Sequence, residues 1–433
     1  MRVITVVVAA TWCFLAQTVA IPGSQIVVTD ADGAAARVSA PMSAQVDLAT
    51  LPGGKEKSKQ LQLVEVTKGA DCDGKSLSGQ PIPAQFEPDT KGSSRGTLWW
   101  LMPAGPKGER RFCLQVAKQA SPTGPNAKYD ARRECVDISE GDLPVLRYNH
   151  GTVPPPPEIV EAFEKKHDPP WYYARGDYIH PIYGPDGEQI TDDYSLNHPH
   201  HRGCFWSWPV LSYRGEIRDI WAVRIEKPQK GGVWSRPVAV RRVASGPVMA
   251  LIDVENAWRW DDKESIVKED VTIRAFHVKD KARFIDVKIT LTALVDSIAI
   301  GGRPGPGYGG FTFRTFPEFD QRKIDLRIDP KDTEPQVAWF HLTGNFPGGK
   351  GPAGVALLQH LDNPDYPHYP DAAEVDGKVE KYPAWRTITT GFPGNRTVKL
   401  PKGKPLTMQY RLWIHPGLSS DKVVNDLWHA YNK

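Results

Sequence analysis

Long runs in which every second residue is apolar constrain this chain more than any other feature. In "ARFIDVKITLTALV" (282–295) the apolar set is Ile285, Val287, Ile289, Leu291 and Ala293, and in "LTMQYRLWIH" (406–415) it is Leu406, Met408, Tyr410, Leu412 and Ile414. Successive side chains of an extended strand point to opposite faces, so such a run lays down one greasy sheet face and cannot make the stripe of an amphipathic helix. "GGFTFRTF", "VAWFHLTG" and "GVALLQHL" are shorter segments that also read as strands. The chain holds 38 Gly and 39 Pro, which supply the turns between them. The expectation is an all-β protein with few short helices.

At 433 residues the chain is too long for one ordinary domain. Residues 25–140 carry short strands ("QIVVTD", "QLQLVEV", "TLWWLM", "FCLQVA", "CVDI") between turns such as "LPGGKEKSK", the pattern of a small β-sandwich with an accessory role. "LPVLRYNHG" restarts the strand pattern at Leu143. Residues 143–433 then read as two large antiparallel sheets packed face to face, with a concave surface on one of them. Within them, 154–170 reads as a proline-rich insertion with a short helix carrying Ile159, Val160 and Phe163. A closing helix is expected from Val423, Val424, Leu427, Trp428 and Tyr431, with Ser420 as its N-cap.

Residues 1–20 combine Arg2, an apolar run from Val3 to Leu15, and the small residues Thr18 and Ala20, the pattern of a secretory signal peptide cleaved near Ala20. The expected location is therefore secreted or periplasmic. Net charge is +3 and no long basic run occurs, which disfavours nucleic acid as a partner. No later apolar run is long enough to insert in a membrane. The oligomeric state leaves no mark in the sequence. Export permits disulfides, and Cys72, Cys113, Cys135 and Cys204 lie beyond the leader. A Cys113–Cys135 bridge is one option and Cys72 with either is another; Cys204, in an aromatic run, is expected as a buried free thiol.

Chemistry concentrates in "LNHPHHRGCFWSW", 196–208, which holds three histidines, an arginine and two tryptophans. Extended backbone from Pro199 to Trp208 would place His200, Arg202, Cys204, Trp206 and Trp208 on one face, with a bulge at Gly203 the one way to break that order. His200 could then exchange a proton, Arg202 hold an oxyanion, and the indoles stack on sugar rings, with His198 and His201 beside them. A structural reading competes: the histidines would bond turn carbonyls, and Arg202 would pair with Asp192 or Asp193. A metal reading uses His198 and His200, two apart, with a divalent ion; no cofactor is otherwise expected. "GGFTFR" sets Phe311 and Phe313 on one face and Gly310, Thr312 and Arg314 on the other, which makes Arg314 a second catalytic candidate. Substrate contacts are expected from His180, Trp206, Trp208, His341, His360, Asp362, Asn363, Tyr366 and Trp385.

"GDYIHPIYGPDGEQITDDYSLNHPHHRGCFWSW" resembles the signature of PmoA-like ("methane oxygenase PmoA") domains, a family of exported bacterial proteins, and "GVALLQHLDNPDYPHYP" looks like its second signature. The likeness spans about 143–431. It implies a β-supersandwich like that of galactose mutarotases and several polysaccharide lyases. The function expected is therefore that of an exported carbohydrate-active protein, cleaving or modifying poly- or oligosaccharides by His/Arg-assisted hydrolysis or β-elimination. A non-catalytic sugar-binding or cell-surface protein is the alternative, and a metal-dependent oxygenase, as the family label implies, is the third. No pair of carboxylates stands at a spacing that marks a two-carboxylate glycosidase.

Overall fold

The structure is a computed structural model that describes residues 18–21, 25–30, 37–51, 60–67, 72, 79–117, 123–164, 174–195, 198–222, 231–279, 281–305, 307–316, 325–328, 338–364 and 387–432. The fold is all-β, and its described strand pairings are antiparallel. The chain divides into two compact units, Met1–Ala120 and Ser121–Tyr431.

In the first unit seven strands form one sheet that curls until its two outermost strands, Thr18–Ile21 and Ala40–Asp47, approach each other. Opposite halves of the sheet thus face one another across a core, as sandwich layers do. The strand Arg95–Met102 alternates cleanly, with Leu98, Trp100 and Met102 buried. Cys72 and Cys113 form a disulfide. The unit ends about twenty residues earlier than the expected boundary near 140. The physical reason is the partner of "CVDI": Cys135–Glu140 pairs with both Asn126–Asp130 and Leu143–Asn149, and Val136 and Ile138 point into the core of the large unit. Cys135 is therefore a buried free thiol, as is Cys204.

The large unit packs a seven-stranded sheet against an eight-stranded one. The seven-stranded sheet contains Leu143–Asn149, Tyr178–Ile182, Cys204–Ser207 and Gly310–Arg314 among its strands. The eight-stranded sheet is built on the long alternating runs, including Met249–Trp260, Glu264–Phe276, Arg283–Ala293 and Pro405–Pro416. Ile285, Val287, Ile289 and Leu291 lie fully within the core, each stabilising it by about 1.5–3 kcal/mol relative to an exposed side chain. Aromatic rings join the layers: Phe311 stacks on Tyr410 with centroids 4.2 Å apart, and Trp208 meets Trp258 at 5.4 Å.

One polar group crosses this core. Glu269 is fully buried and accepts the indole N–H groups of Trp206 and Trp258. Burial and the neighbouring Asp177 push its pKa up, which favours the neutral form. Asp177 in turn accepts from Tyr148 and Asn256, each at 2.8 Å, and from Ser235 at 2.9 Å. The network satisfies the carboxyls that the core would otherwise exclude.

Two helices complete the described unit. Pro157–Glu164 buries Ile159 against Tyr194, so the proline-rich insertion braces a residue of the site described below. Asp421–Tyr431 buries Val424 and Leu427, and Ser420 accepts from the Val423 N–H at 3.4 Å.

Candidate functional site

Gly203 decides the geometry of the histidine segment. Its φ of +49° ends one strand, His198–Arg202, and starts another, Cys204–Ser207. A Cβ there would stand 2.3 Å from the Ile179 carbonyl oxygen and 2.6 Å from the His180 Cβ, so only glycine fits. The same kink interlocks three segments: Gly203 N–H donates to Asp192 O at 2.7 Å, Arg314 N–H to Gly203 O at 2.7 Å, and Asp192 N–H to Arg314 O at 3.1 Å.

The alternation expected from Pro199 to Trp208 therefore fails at its weak point. Cys204, Trp206 and Trp208 face the core between the sheets, and neither indole is a sugar platform: Trp206 donates to Glu269, and Trp208 donates to Phe392 O at 3.0 Å. Arg202 lies on the opposite side with Tyr178, and the aromatics of that outer face are Phe205, Trp221 and half-buried Tyr308.

His198–Arg202 forms one arm of a hairpin whose other arm is Asp193–Ser195, with Asp193 directly opposite Arg202. Register thus chooses Asp193 as the ion-pair partner, and Arg202 also donates to the Tyr178 hydroxyl. Its guanidinium lies 4.5 Å from the Tyr178 ring centre and 3.5 Å from that of Tyr194. Arg202 is thus fully buried, bonded to Asp193 and Tyr178 and enclosed by the two tyrosine rings. Arg314, also buried, places its Nε 3.4 Å from Asp192 and donates to Thr387 Oγ1 at 2.9 Å. Its partner face is as alternation implies, with Phe311 and Phe313 in the core.

Over these two Asp–Arg pairs sit three imidazoles in mutual contact. Ring centroids are 4.5 Å apart for His200–His201, 4.9 Å for His198–His201 and 5.8 Å for His198–His200. His201 is buried against Phe205 and edge-on to Trp221, while His198 and His200 are half-buried. Burial, then the charges of His200 and Arg314, hold the His201 pKa well below the ordinary histidine value, and burial followed by Arg314 lowers that of His198. Burial raises the Asp192 carboxyl to about 6, against the pull of Arg314. His180 joins the neighbourhood from Tyr178–Ile182, bonded through Nδ1 to Thr191 Oγ1 at 3.0 Å; burial outweighs Asp193 and brings its pKa down to about 4.

The other candidates lie elsewhere. His341 is on the eight-stranded sheet, its Nε2 2.9 Å from His415 Nε2, and the latter ring passes over Gly354, whose absent Cβ would stand 2.3 Å from it. His360, Asp362 and Asn363 cap the end of Pro352–Gln359: His360 Nδ1 accepts from Asp362 N–H, its ring meets Tyr431, and Asn363 exchanges two hydrogen bonds with the Gln409 backbone. They hold a turn of that sheet because "QHLDNP" follows directly on one of its central strands. Tyr366 and Trp385 lie outside the described residues. Among the described residues no three His, Cys, Asp or Glu side chains gather to hold a metal ion, and no helix is long and apolar enough to cross a membrane.

Sequence reasoning passed over Arg175, Tyr178, Tyr194, Trp221 and Thr387. Tyr178 and Tyr194 carried a faint signal, flanking the same His-rich signature. Trp221 and Arg175 carried none, since they reach His201 and Phe205 only through tertiary packing.

An all-β protein whose sheet carries, on its outer face, a histidine trio buttressed by two Asp–Arg pairs is the class defined by these features. The large unit identifies the family: a family of unknown function, DUF6807, matches residues 135–429, and the chain belongs to it. No curated protein matches the chain.

Proposed function

We propose that the chain is an exported carbohydrate-active enzyme in which the trio His198, His200 and His201 performs general acid–base chemistry on a sugar, by hydrolysis or β-elimination. The observation that carries this is the packing of the three imidazoles. Rings at 4.5–5.8 Å repel one another when charged, and two of the three are biased toward the neutral form. Neutral imidazoles in mutual contact offer a substrate proton acceptors, which suits general acid–base chemistry. His200, half-buried, is the member assigned to exchange the proton with substrate. Asp192, with its carboxyl near 6, is a second titrating group beside Arg314. Tyr308 and Trp221 replace Trp206 and Trp208 as the aromatic side of the site. The Cys72–Cys113 disulfide favours an oxidising compartment, in line with export.

The test is turnover of a polysaccharide panel, read as reducing ends released and as ultraviolet absorbance of unsaturated products. His200→Ala should lower kcat by roughly 10²–10⁴-fold with an unchanged melting temperature. Sugar binding without turnover by the wild type would make the protein a binding module, and a His200→Ala variant with full activity would remove the assignment.

A further inference from the structure

The outer face of the seven-stranded sheet holds three buried guanidiniums, Arg175, Arg202 and Arg314. Arg202 has Asp193 and Arg314 has Asp192. Arg175 has no carboxylate bonded to it among the described residues. Its Nη1 donates to Trp221 O at 3.2 Å, its Cζ stands 5.0 Å from the centre of the Phe205 ring, and its Nε is buried without an acceptor. The adjoining Trp221, 3% exposed, likewise has a buried indole N–H with no acceptor. Asp177, two residues along, attracts the Arg175 charge, but its oxygens accept from Tyr148, Asn256 and Ser235.

Burial, then the proximity of Arg202, brings the Arg175 pKa down to about 10, which leaves it charged at neutral pH. Buried charge and buried N–H groups are both costly without a partner, and native proteins keep few of them. Here the cation and the two orphan donors belong to two residues bonded to each other, and Trp221 links them to the histidine trio, its indole ring 5.6 Å from that of His201. The missing partner is an anion rich in acceptors. Arg202 and Arg314 are each bonded to an aspartate, whereas the Arg175 fork has no carboxylate of its own, which leaves it the place of one carboxylate. A planar carboxylate matches the planar arginine fork.

We propose that Arg175 and the Trp221 indole bind the carboxylate of the substrate, which makes the substrate class a uronate-bearing oligosaccharide rather than a neutral one. This rests on the carbohydrate reading above and specifies it. Arg175 is a binding and specificity residue, and the trio remains the proton-transfer group.

The experiment is calorimetric titration of the full chain with oligogalacturonate and oligoglucuronate, with their carboxyl-reduced counterparts, and with a sulfated neutral oligosaccharide. The expected result is that a uronate binds about 30-fold or more tightly than its reduced counterpart, and that Arg175→Gln removes this advantage while leaving the weak neutral binding in place. Equal affinity for the uronate and its reduced counterpart overturns the carboxylate assignment and leaves the carbohydrate reading standing. So does tighter binding of the sulfated sugar. Binding of none of them overturns both. If Arg175→Gln does not fold, the wild-type comparison between acidic and reduced sugars still decides the substrate class, and Trp221→Phe, which removes the orphan indole N–H, tests the residues: an undiminished uronate advantage overturns their assignment.

Discussion

Removing Asp193 tests whether Arg202 is a buried strut or a substrate-binding group. Arg202 is fully buried, and its charge is balanced by Asp193, whose side chain is 15% exposed. Asp193→Ala strands a guanidinium under Tyr178 and Tyr194, and breaking a buried pair from one side costs about 3–5 kcal/mol. Unfolding entropy near the midpoint is about 2.1 cal/mol/K per residue, which for a unit of roughly 310 residues is about 0.65 kcal/mol/K, so the expected drop in Tm is about 5–8 °C. Arg202→Met should cost less, about 1–3 kcal/mol, because the partly exposed Asp193 recovers water and keeps the Tyr178 hydroxyl as a donor at 3.1 Å. Differential scanning calorimetry on the wild type and both variants, with circular dichroism to follow the fold, measures the asymmetry. An unchanged Tm for Asp193→Ala, or a larger loss for Arg202→Met than for Asp193→Ala, refutes the strut.

Three further outcomes follow from the same geometry. Trp206→Phe loses the indole bond to Glu269 and should cost about 1–3 kcal/mol in urea denaturation while sugar affinity stays constant; lost affinity at unchanged stability would return Trp206 to the site. For pH, His180 stays neutral in the folded state down to about 4 whereas its unfolded form protonates at the ordinary histidine value, so stability present above about 6.5 falls as the pH drops from there toward 4. Asp192, raised to about 6, works in the opposite sense: its contribution is full below about 3.8 and is lost as the pH rises through 6, so Asp192→Asn should steepen the acid loss, and a flatter urea-midpoint profile would contradict the buried carboxyl. Reducing the Cys72–Cys113 bridge, which spans 41 residues, should destabilise the small unit by up to about 4 kcal/mol, read by urea denaturation with and without reductant; no change would show that the bridge does not constrain the unfolded chain.

What the sequence determined by itself was strand character and facing within unbroken runs. Ile285 to Leu291 and Phe311 with Phe313 face the core because the period of two is a property of the extended backbone alone. The helix at 157–164 was likewise legible from prolines and apolar spacing. Tertiary structure decided everything that crosses between segments. Gly203 at φ +49° reversed the facing of Arg202 relative to Trp206, since glycine admits both an extended and a left-handed backbone and the close Ile179 carbonyl is what requires the second. The pairing register of 193–195 with 198–202, not the composition of the segment, chose Asp193 over Asp192 for Arg202. Cys135 was parted from Cys72 and Cys113 because its strand found partners in the large unit. Arg175 and Trp221 reach the histidines by packing between segments 20 to 46 residues apart, and such long-range partners leave no local pattern for a sequence to display.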